Sequence, residues 1–199
     1  MPIQHLPKIR AVRSLATTRF FQIEAVDLTF SNGTEVEFER LTGKGQGAVL
    51  VVPITADGQI VLIREYACGT ERYELGLPKG RIELDEPILV AANRELMEEA
   101  GFGAENLIFL RELTSAPAYS GQRTQVVLAM GLYPARLQGD EPEPLEVVFW
   151  PLVDLDQLAV DERCSEARSI AALYLVRAYL AEQLSEHAQG LPDAEPIHE

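Results

Sequence analysis

Three glutamates, Glu95, Glu98 and Glu99, lie close together near the middle of the 199-residue chain. In a helix, side chains three and four positions apart face the same way, so these carboxylates would crowd one surface and repel one another. A divalent cation removes this conflict, and Mg²⁺ prefers carboxylate oxygens while leaving coordination sites for water and phosphate. The spacing therefore points to metal-assisted phosphate chemistry, although three glutamates alone are more typical of a solvated acidic helix face.

The residues around the glutamates predict a helix over positions 87–100. Pro87 suits the first helical position and follows the acidic pair at 85–86, and Gly101 suits the position after the last turn. The glutamates fall on a stripe beside the predicted core face, so the helix would hold them at the edge of the core. That core face comprises four apolar positions, Leu89, Ala92, Leu96 and Ala100.

The glutamates also belong to a longer pattern with fixed spacing. The pattern is a glycine, five residues, a glutamate, seven residues, and then the stretch Arg-Glu-aliphatic-any-Glu-Glu-any-Gly-hydrophobic. In this chain its fixed positions are Gly80, Glu86, Arg94, Glu95, Leu96, Glu98, Glu99, Gly101 and Phe102. This pattern matches, without a gap, the signature of the Nudix hydrolase family. The resemblance implies an α/β/α sandwich with a mixed β-sheet. It also implies hydrolysis of a nucleoside diphosphate linked to another moiety, with Mg²⁺ as cofactor and Mn²⁺ as a substitute.

The resemblance assigns roles position by position. Glu95 and Glu99 match the principal metal ligands, Glu98 matches a third ligand or a water-orienting group, and the backbone carbonyl of Lys79 matches a further ligand. Arg94 would orient the glutamates through charged hydrogen bonds, with a surface arginine as the alternative.

Two further positions of the pattern are expected to support the metal ligands. Gly80 would serve a tight turn before the helix, and an ordinary loop glycine is the alternative. Glu86 would tie the preceding loop to the helix, or else cap the helix N-terminus.

The resemblance extends to the ADP-ribose pyrophosphatase branch of the family. It is carried by the stretches Ile63–Tyr66 and Tyr73–Gly80 and by a proline, Pro117. This proline follows the pattern from Gly80 to Phe102, which we call the Nudix box. The branch implies contact of Arg64 with substrate, and Pro117 is also expected at the substrate. Tyr66, Tyr73 and Tyr119 could stack on adenine, with a position in the core or at its rim as the alternative. Residues 116–120 lack the Gly-Phe that the strict ADP-ribose enzymes carry after this proline. The resemblance therefore implies broader cleavage of ADP compounds (ADP-ribose, NADH and short diadenosine polyphosphates) with release of AMP.

An acidic, proline-bearing stretch, residues 139–144, precedes the strand predicted at 146–152. Related enzymes place a glutamate here as general base or extra metal ligand, which makes Glu141 and Glu143 the candidates. The prolines would restrict the loop. A solvated acidic turn is the alternative.

The remaining patterns predict the elements that position this site. Residues 8–42 predict an antiparallel β unit with strands at 20–30 and 35–41 joined by an Asn-Gly turn, and the apolar runs 48–55 and 59–65 predict a second hairpin. Further strands are expected at 107–113, 124–132 and 146–152, and an amphipathic helix at 164–185. Together these elements predict an α/β or α+β sandwich with a small N-terminal antiparallel β unit.

We expect three segments: an N-terminal β unit at 1–45, a Nudix domain at 46–186 and an unstructured tail at 187–199. The β unit is too small to bury its apolar side alone, and in the ADP-ribose pyrophosphatase branch such a unit exchanges between subunits. A homodimer is therefore predicted.

Composition narrows the function classes. A net charge of −14, from 17 basic and 31 acidic residues, disfavours general nucleic-acid binding. The chain has no apolar run of membrane-spanning length, and its N-terminus does not resemble a signal peptide. Two cysteines without metal-ligand spacing, Cys68 and Cys164, are typical of a reduced, cytoplasmic protein.

Two alternatives to an ADP-compound hydrolase stay open at this point. One is a Nudix hydrolase of another specificity, acting on nucleotide sugars, nucleoside triphosphates or NAD-capped RNA, because the box binds the metal and does not contact the base. The other is a non-catalytic Nudix module that senses nucleotides. Such modules usually lose box glutamates, and all of them are present in this chain.

Overall fold

The computed structural model of the protein describes residues 5–42 and 45–189. Ten strands and three α-helices follow one another along this part of the chain, with one π-helix and one 3₁₀ turn. The strands are β1 (Lys8–Thr17), β2 (Gln22–Thr29), β3 (Glu35–Thr42), β4 (Ala48–Pro53), β5 (Gln59–Ala67), β6 (Arg72–Gly76), β7 (Lys79–Arg81), β8 (Phe102–Thr114), β9 (Arg123–Pro134) and β10 (Glu146–Pro151). The helices are α1 (Ile88–Glu95), the π-helix (Leu96–Ala100), the 3₁₀ turn (Leu152–Asp154), α2 (Leu155–Leu158) and α3 (Ala167–Gln189).

The first three strands form an antiparallel sheet of their own, in the order β1-β2-β3. The predicted Asn-Gly turn between β2 and β3 is confirmed, and Gly33 there has a φ of 84°, which glycine adopts without strain. Among the strands of this sheet only Ala25 and Val26 are buried. The sheet joins the rest of the chain through Leu41, whose backbone pairs with the loop at 119–121.

The other seven strands form the central layer, in two sheets with the orders β7-β4-β9-β8 and β10-β5-β6. The first is mixed, because β4 and β9 run parallel while the other neighbours are antiparallel. Buried side chains along β4, β5 and β9 alternate between two cores, as they must in strands covered on both faces. Leu50, Leu62 and Leu128 belong to the core beneath α2 and α3, and Val51, Ile63 and Val127 to the core beneath α1. The predicted α/β/α sandwich is therefore confirmed.

The second predicted hairpin is wrong in its pairing. Its turn forms, with a Gly58 φ of 78° and a hydrogen bond from Thr55 N to Gln59 O. Beyond one bridge between Ile54 and Ile60, however, β4 and β5 enter different sheets. Both strands are buried on both faces, and each is flanked by partners from elsewhere in the chain.

The helix predicted at 87–100 forms, but it begins one position later than expected. Pro87 occupies the N-cap with an extended backbone (φ −66°, ψ 142°), and no side chain caps the helix. Leu89, which was expected in the core, is 38% exposed. Ala91 is buried, together with the correctly predicted Ala92 and Leu96.

The predicted amphipathic helix near the C-terminus is confirmed as α3. Its residues Leu173 and Val176 are fully buried against the central layer. The helix continues to Gln189, and the rest of the predicted tail, 190–199, lies outside the described residues. Within the described part of the chain, no helix is both long and apolar enough to cross a membrane.

Candidate active site

The three central glutamates lie where the helix changes type. α1 ends at Glu95, a π-helix follows, and Gly101 then ends the helix in the left-handed region with a φ of 75°. A π-turn contains more residues than an α-turn, and the buried positions here recur every four residues, at Ala91, Ala92, Glu95, Leu96, Glu99 and Ala100. We call residues 88–100 the glutamate helix.

This four-residue spacing places two of the glutamates at the edge of the core. Glu95 is 7% exposed and Glu99 is 5% exposed. Glu98 is only half-buried. Burial, as the largest influence, raises the pKa of Glu95, and it raises the pKa of Glu99 to about 8. Both carboxylates therefore lie where a compensating cation would be most stabilising.

Arg94 connects the glutamates to one another and to the preceding loop. Its Nη1 donates to Glu95 (2.7 Å) and to Glu98 (3.0 Å). Its Nε and Nη2 donate to Glu86 at 2.8 and 2.9 Å, and Nη2 also reaches the carbonyl of Arg81 at 3.0 Å. The hydrogen bond to Glu86 is the largest of the influences that raise the Arg94 pKa. This geometry agrees with an orienting arginine and with Glu86 as the tie between loop and helix, and it excludes Glu86 as the helix cap.

Strand β7 lies against the glutamate helix through Lys79. The Lys79 backbone N–H donates to Glu99 (2.8 Å), and its Nζ donates to Glu65 (2.9 Å). Burial lowers the pKa of Lys79, but the charges of Glu99 and Glu65 outweigh it, so the net pKa is raised. The sequence drew attention only to the backbone carbonyl of Lys79, whose role as a ligand stays a prediction. The structure adds its ammonium group as a cation among the carboxylates.

Gly80 lies within β7, paired with Val49, rather than in a tight turn as expected. Its φ is not positive, so the backbone does not require glycine. The requirement is space, because a Cβ at this position would overlap the carboxylate of Glu95. Glycine is needed here for the close approach of a glutamate.

An open cavity of about 620 Å³ lies in front of the glutamate helix. We call it the acidic cavity, and it is lined by Glu65, Lys79, Gly80, Arg81, Glu83, Arg94, Glu95, Glu98, Glu99 and residues 138–142. Of the two candidate loop glutamates, Glu141 lines this cavity, and its charge adds to the rise in the Glu95 pKa. Glu143 does not line it and instead accepts a hydrogen bond from Tyr73 Oη (2.5 Å).

The residues of the acidic cavity fit a hard divalent cation. Its donors are carboxylate oxygens, the ligand type that Mg²⁺ prefers, and the carboxylates outnumber the cationic side chains. Within the described residues, no three carboxylate, imidazole or thiol groups converge on one point. The reason is local, since Arg94 engages Glu95 and Glu98 while the Lys79 backbone engages Glu99.

The matches to known families agree with this geometry. Residues 44–174 match the NUDIX domain, and residues 7–40 match the NudE-type Nudix hydrolase N-terminal domain. The chain belongs to the Nudix hydrolase family.

Individual relatives narrow the branch of the family. The chain is 49% identical over 177 residues to the ADP compounds hydrolase NudE of Escherichia coli (strain K12), covering 89% of this chain and 95% of that protein. It is 26% identical over 168 residues to the ADP-ribose pyrophosphatase of Bacillus subtilis (strain 168), covering 81% and 90%. A crystal structure of an ADP compounds hydrolase superposes with a TM-score of 0.85 and 47% identity, covering 92% of this chain and 98% of that one. The resemblance noted in the sequence is confirmed.

The predicted substrate-contact residues of this Nudix hydrolase are not among the residues that line the acidic cavity. Arg64 pairs with Glu146 across β5 and β10 (3.2 Å). Tyr66 packs edge-on against Tyr73, with 5.7 Å between ring centroids. Pro117 and Tyr119 lie in the loop that pairs with Leu41 of the N-terminal sheet. Their contacts with substrate stay predictions.

A second cavity, of about 470 Å³, lies between the N-terminal sheet and the Nudix domain. We call it the arginine cavity, and its lining includes Arg19, Phe20, Phe21, Arg81, Arg123 and Arg168. Arg81 also lines the acidic cavity, so the two cavities adjoin at this residue. No sequence motif marks this site, because its residues come from separate segments. The adjacent phenylalanines Phe20 and Phe21 are the signal that the sequence offers.

Proposed function

We propose that this Nudix hydrolase is a Mg²⁺-dependent pyrophosphohydrolase that cleaves ADP-containing compounds and releases AMP. The substrates we infer are ADP-ribose, NADH and short diadenosine polyphosphates. The observation that carries the proposal is the presence of Glu95, Glu98 and Glu99 around one cavity, held by hydrogen bonds from Arg94 and from the Lys79 backbone. An aromatic, cationic cavity adjoins this one at Arg81. The name of the Escherichia coli relative, ADP compounds hydrolase, supports the substrate class.

The carboxylate donors support a divalent cation, and we propose Mg²⁺, with Mn²⁺ as a substitute, held by Glu95, Glu98, Glu99 and the Lys79 carbonyl. When bound, the ion supplies charge neutralisation at the pyrophosphate oxygens and acidifies a water. Arg94 keeps the carboxylates of Glu95 and Glu98 aimed at the cavity through its two hydrogen bonds. The Lys79 backbone N–H does the same for Glu99.

Glu141 is the general base in this proposal, because it is the loop glutamate that lines the acidic cavity. Its carboxylate takes a proton from the attacking water as the new P–O bond forms. The phosphoanhydride P–O bond then breaks, and AMP leaves with ribose 5-phosphate or with the other half of a dinucleotide. Glu143, held by Tyr73, is the less favoured candidate.

The arginine cavity supplies features that suit the nucleoside end of the substrate. Phe20 and Phe21 are 60% and 48% exposed, which leaves ring surface for a base to stack on. The guanidinium of Arg19 lies over the Phe20 ring at 4.9 Å. Arg81, at the junction, is placed to meet the phosphates between the two ends.

The test is AMP release from ADP-ribose, NADH, diadenosine di- and triphosphate, nucleotide sugars and ATP, with and without Mg²⁺. We expect Mg²⁺-dependent turnover of the ADP compounds, with little turnover of nucleotide sugars and ATP. Turnover of ADP-ribose alone would reduce the proposal to a strict ADP-ribose pyrophosphatase. Inactivity on the whole panel would overturn it in favour of a nucleotide-sensing module.

We also propose that the protein is a homodimer. Large apolar side chains of the N-terminal sheet remain exposed, namely Ile9, Val12, Leu15, Val36 and Phe38. A second copy would cover this surface, which is unusual for a monomer. Light scattering that gives a monomer mass would refute the dimer. A cytoplasmic location and the lack of general nucleic-acid binding stay predictions from the sequence.

A further inference from the structure

The acidic loop, residues 138–144, is attached to the sandwich at its N-terminal side. Just before it, Ala135 N donates to the Gly101 carbonyl (3.1 Å) and Leu137 N donates to the Met97 carbonyl (3.2 Å). Met97 lies in the last turn of the glutamate helix, and Gly101 directly follows that helix. The first part of the loop, residues 138–142, then lines the acidic cavity.

A second attachment lies at the other end of the acidic loop. The Tyr73 hydroxyl donates to the Glu143 carboxylate at 2.5 Å. Tyr73 lies on β6, opposite Tyr66 on β5, and the two rings meet edge-on at an interplanar angle of 68°. The ring contact limits where the hydroxyl can point, so this anchor is held by the central layer itself.

Glu141 lies between the two anchors and close to the second one. One residue separates it from Glu143, and that residue is Pro142, whose fixed φ limits the freedom of the short connection. Fixing Glu143 therefore restricts where Glu141 can lie. Without the hydroxyl of Tyr73, the loop would still be held at its two ends, by the hydrogen bonds of residues 135–137 and by the pairing of β10 from Glu146 onward, but not at Glu143.

We propose that Tyr73 is a positioning residue for the hydrolytic reaction. Through its hydrogen bond to Glu143, it holds the acidic loop so that Glu141 faces the box glutamates. This role rests on the proposed function, in which Glu141 acts as the general base. Tyr73 itself is not required to touch the substrate.

The test compares Tyr73→Phe with a matched control, Tyr174→Phe. Tyr73→Phe keeps the ring contact with Tyr66 and removes only the hydroxyl. Tyr174 also donates to a carboxylate, Asp156 at 2.8 Å, but it lies on α3 away from the acidic cavity. We expect kcat for ADP-ribose to fall about tenfold in Tyr73→Phe with KM little changed, and to stay at the wild-type value in the control.

Variants of the acceptor provide the second arm. Glu143→Gln keeps an oxygen acceptor and should retain most of the activity, whereas Glu143→Ala should lose about as much as Tyr73→Phe. The double variant Tyr73→Phe/Glu143→Ala should lose no more than either single variant, because both remove the same bond. Additive losses in the double variant would overturn the proposal.

Hydrogen–deuterium exchange of the peptide covering residues 136–145 gives a readout that does not depend on activity. We expect faster exchange in Tyr73→Phe than in the wild type or in Tyr174→Phe. Unchanged exchange would overturn the role of Tyr73 as an anchor of the loop, whether or not the protein hydrolyses ADP compounds. A wild-type protein that hydrolyses no ADP compound would separately refute the proposed function. If Glu141→Gln lowers kcat while Tyr73→Phe changes neither kcat nor exchange, only the role of Tyr73 fails.

Discussion

Replacing Gly80 by alanine tests whether the close approach of Glu95 is what this position requires. The added Cβ would lie within 3.0 Å of the carboxylate carbon and both oxygens of Glu95, which real Cβ atoms essentially never do. To restore ordinary contact, the carboxylate must retreat by roughly 1 Å, which is a displacement that can cost about 100-fold in rate at a reacting site. The retreat would also lengthen the 2.7 Å hydrogen bond from Arg94.

The same substitution should leave the fold intact. Gly80 does not have a positive φ, and the obstructing atoms are the end of a flexible side chain, so the backbone need not move. Alanine also reduces the entropy of the unfolded chain. We therefore expect Tm within about 3 °C of the wild-type value, together with a kcat for ADP-ribose that is lower by about 100-fold.

The assay is AMP release at several Mg²⁺ concentrations, with thermal melting followed in parallel. The matched control is Gly76→Ala in β6, where a Cβ would lie 3.5 Å from Ser169 Oγ, an ordinary contact. In a Glu95→Asp background the carboxylate is already withdrawn by about 1.5 Å, so Gly80→Ala should cost less there than in the wild type. Wild-type kcat and Mg²⁺ dependence in Gly80→Ala would refute the reasoning.

Three further predictions concern buried groups. Glu99→Gln should lower the rate of AMP release by at least about 100-fold, because it removes a proposed metal ligand. The melting temperature should stay unchanged or rise, because a neutral amide avoids the cost of burying a charge that raises the Glu99 pKa to about 8. The second prediction concerns pH, in EDTA. Between pH 4.5 and about 8 the folded protein keeps a proton on Glu99 that the unfolded chain, with the ordinary pKa of 4.5, has lost. The contribution of Glu99 to the free energy of unfolding is therefore complete below pH 4.5 and is lost as the pH rises to about 8. The urea midpoint should accordingly fall from pH 5 to pH 8.5 in the wild type and fall less in Glu99→Gln; equal slopes would contradict the assignment. The third prediction concerns the cysteines, because burial raises the pKa of the Cys164 thiol to about 11, whereas Cys68 is exposed. A thiol reagent at pH 8 should therefore modify Cys68 alone in the native protein and both cysteines in urea. Mass spectrometry counts the modified cysteines.

Much of the active site was predictable because its signals are local. The box supplies fixed identities at fixed spacing, and Gly101 ends the helix where the sequence places the end. The burial of Glu95 and Glu99 was not predictable in this way. The buried positions recur every four residues from Ala91 to Ala100, through α1 and into the π-helix, and no residue in the stretch marks that spacing. Leu89 lies in the first turn of α1, ahead of this buried strip, and is exposed.

The separation of β4 and β5 into two sheets shows the limit of local signals in the fold. The turn at Gly58 forms because its residues permit it. Whether the two strands joined by this turn pair with each other depends on which other strands can hydrogen-bond to their edges. Here β4 pairs with β7 and β9, and β5 pairs with β6 and β10. Two consecutive apolar runs without polar alternation indicate strands buried on both faces, which favours such separation.

The adjoining cavities explain why the Nudix box alone does not reveal the substrate. Glu95, Glu98 and Glu99 line the acidic cavity, where the proposed metal and pyrophosphate would bind, whereas Glu86 is held by Arg94 and does not line it. The groups suited to a base and its phosphates, Phe20 and Phe21 with Arg19, Arg81, Arg123 and Arg168, line the other cavity. Specificity should therefore respond to changes in the arginine cavity, whereas the rate of the chemical step should respond to changes among the glutamates.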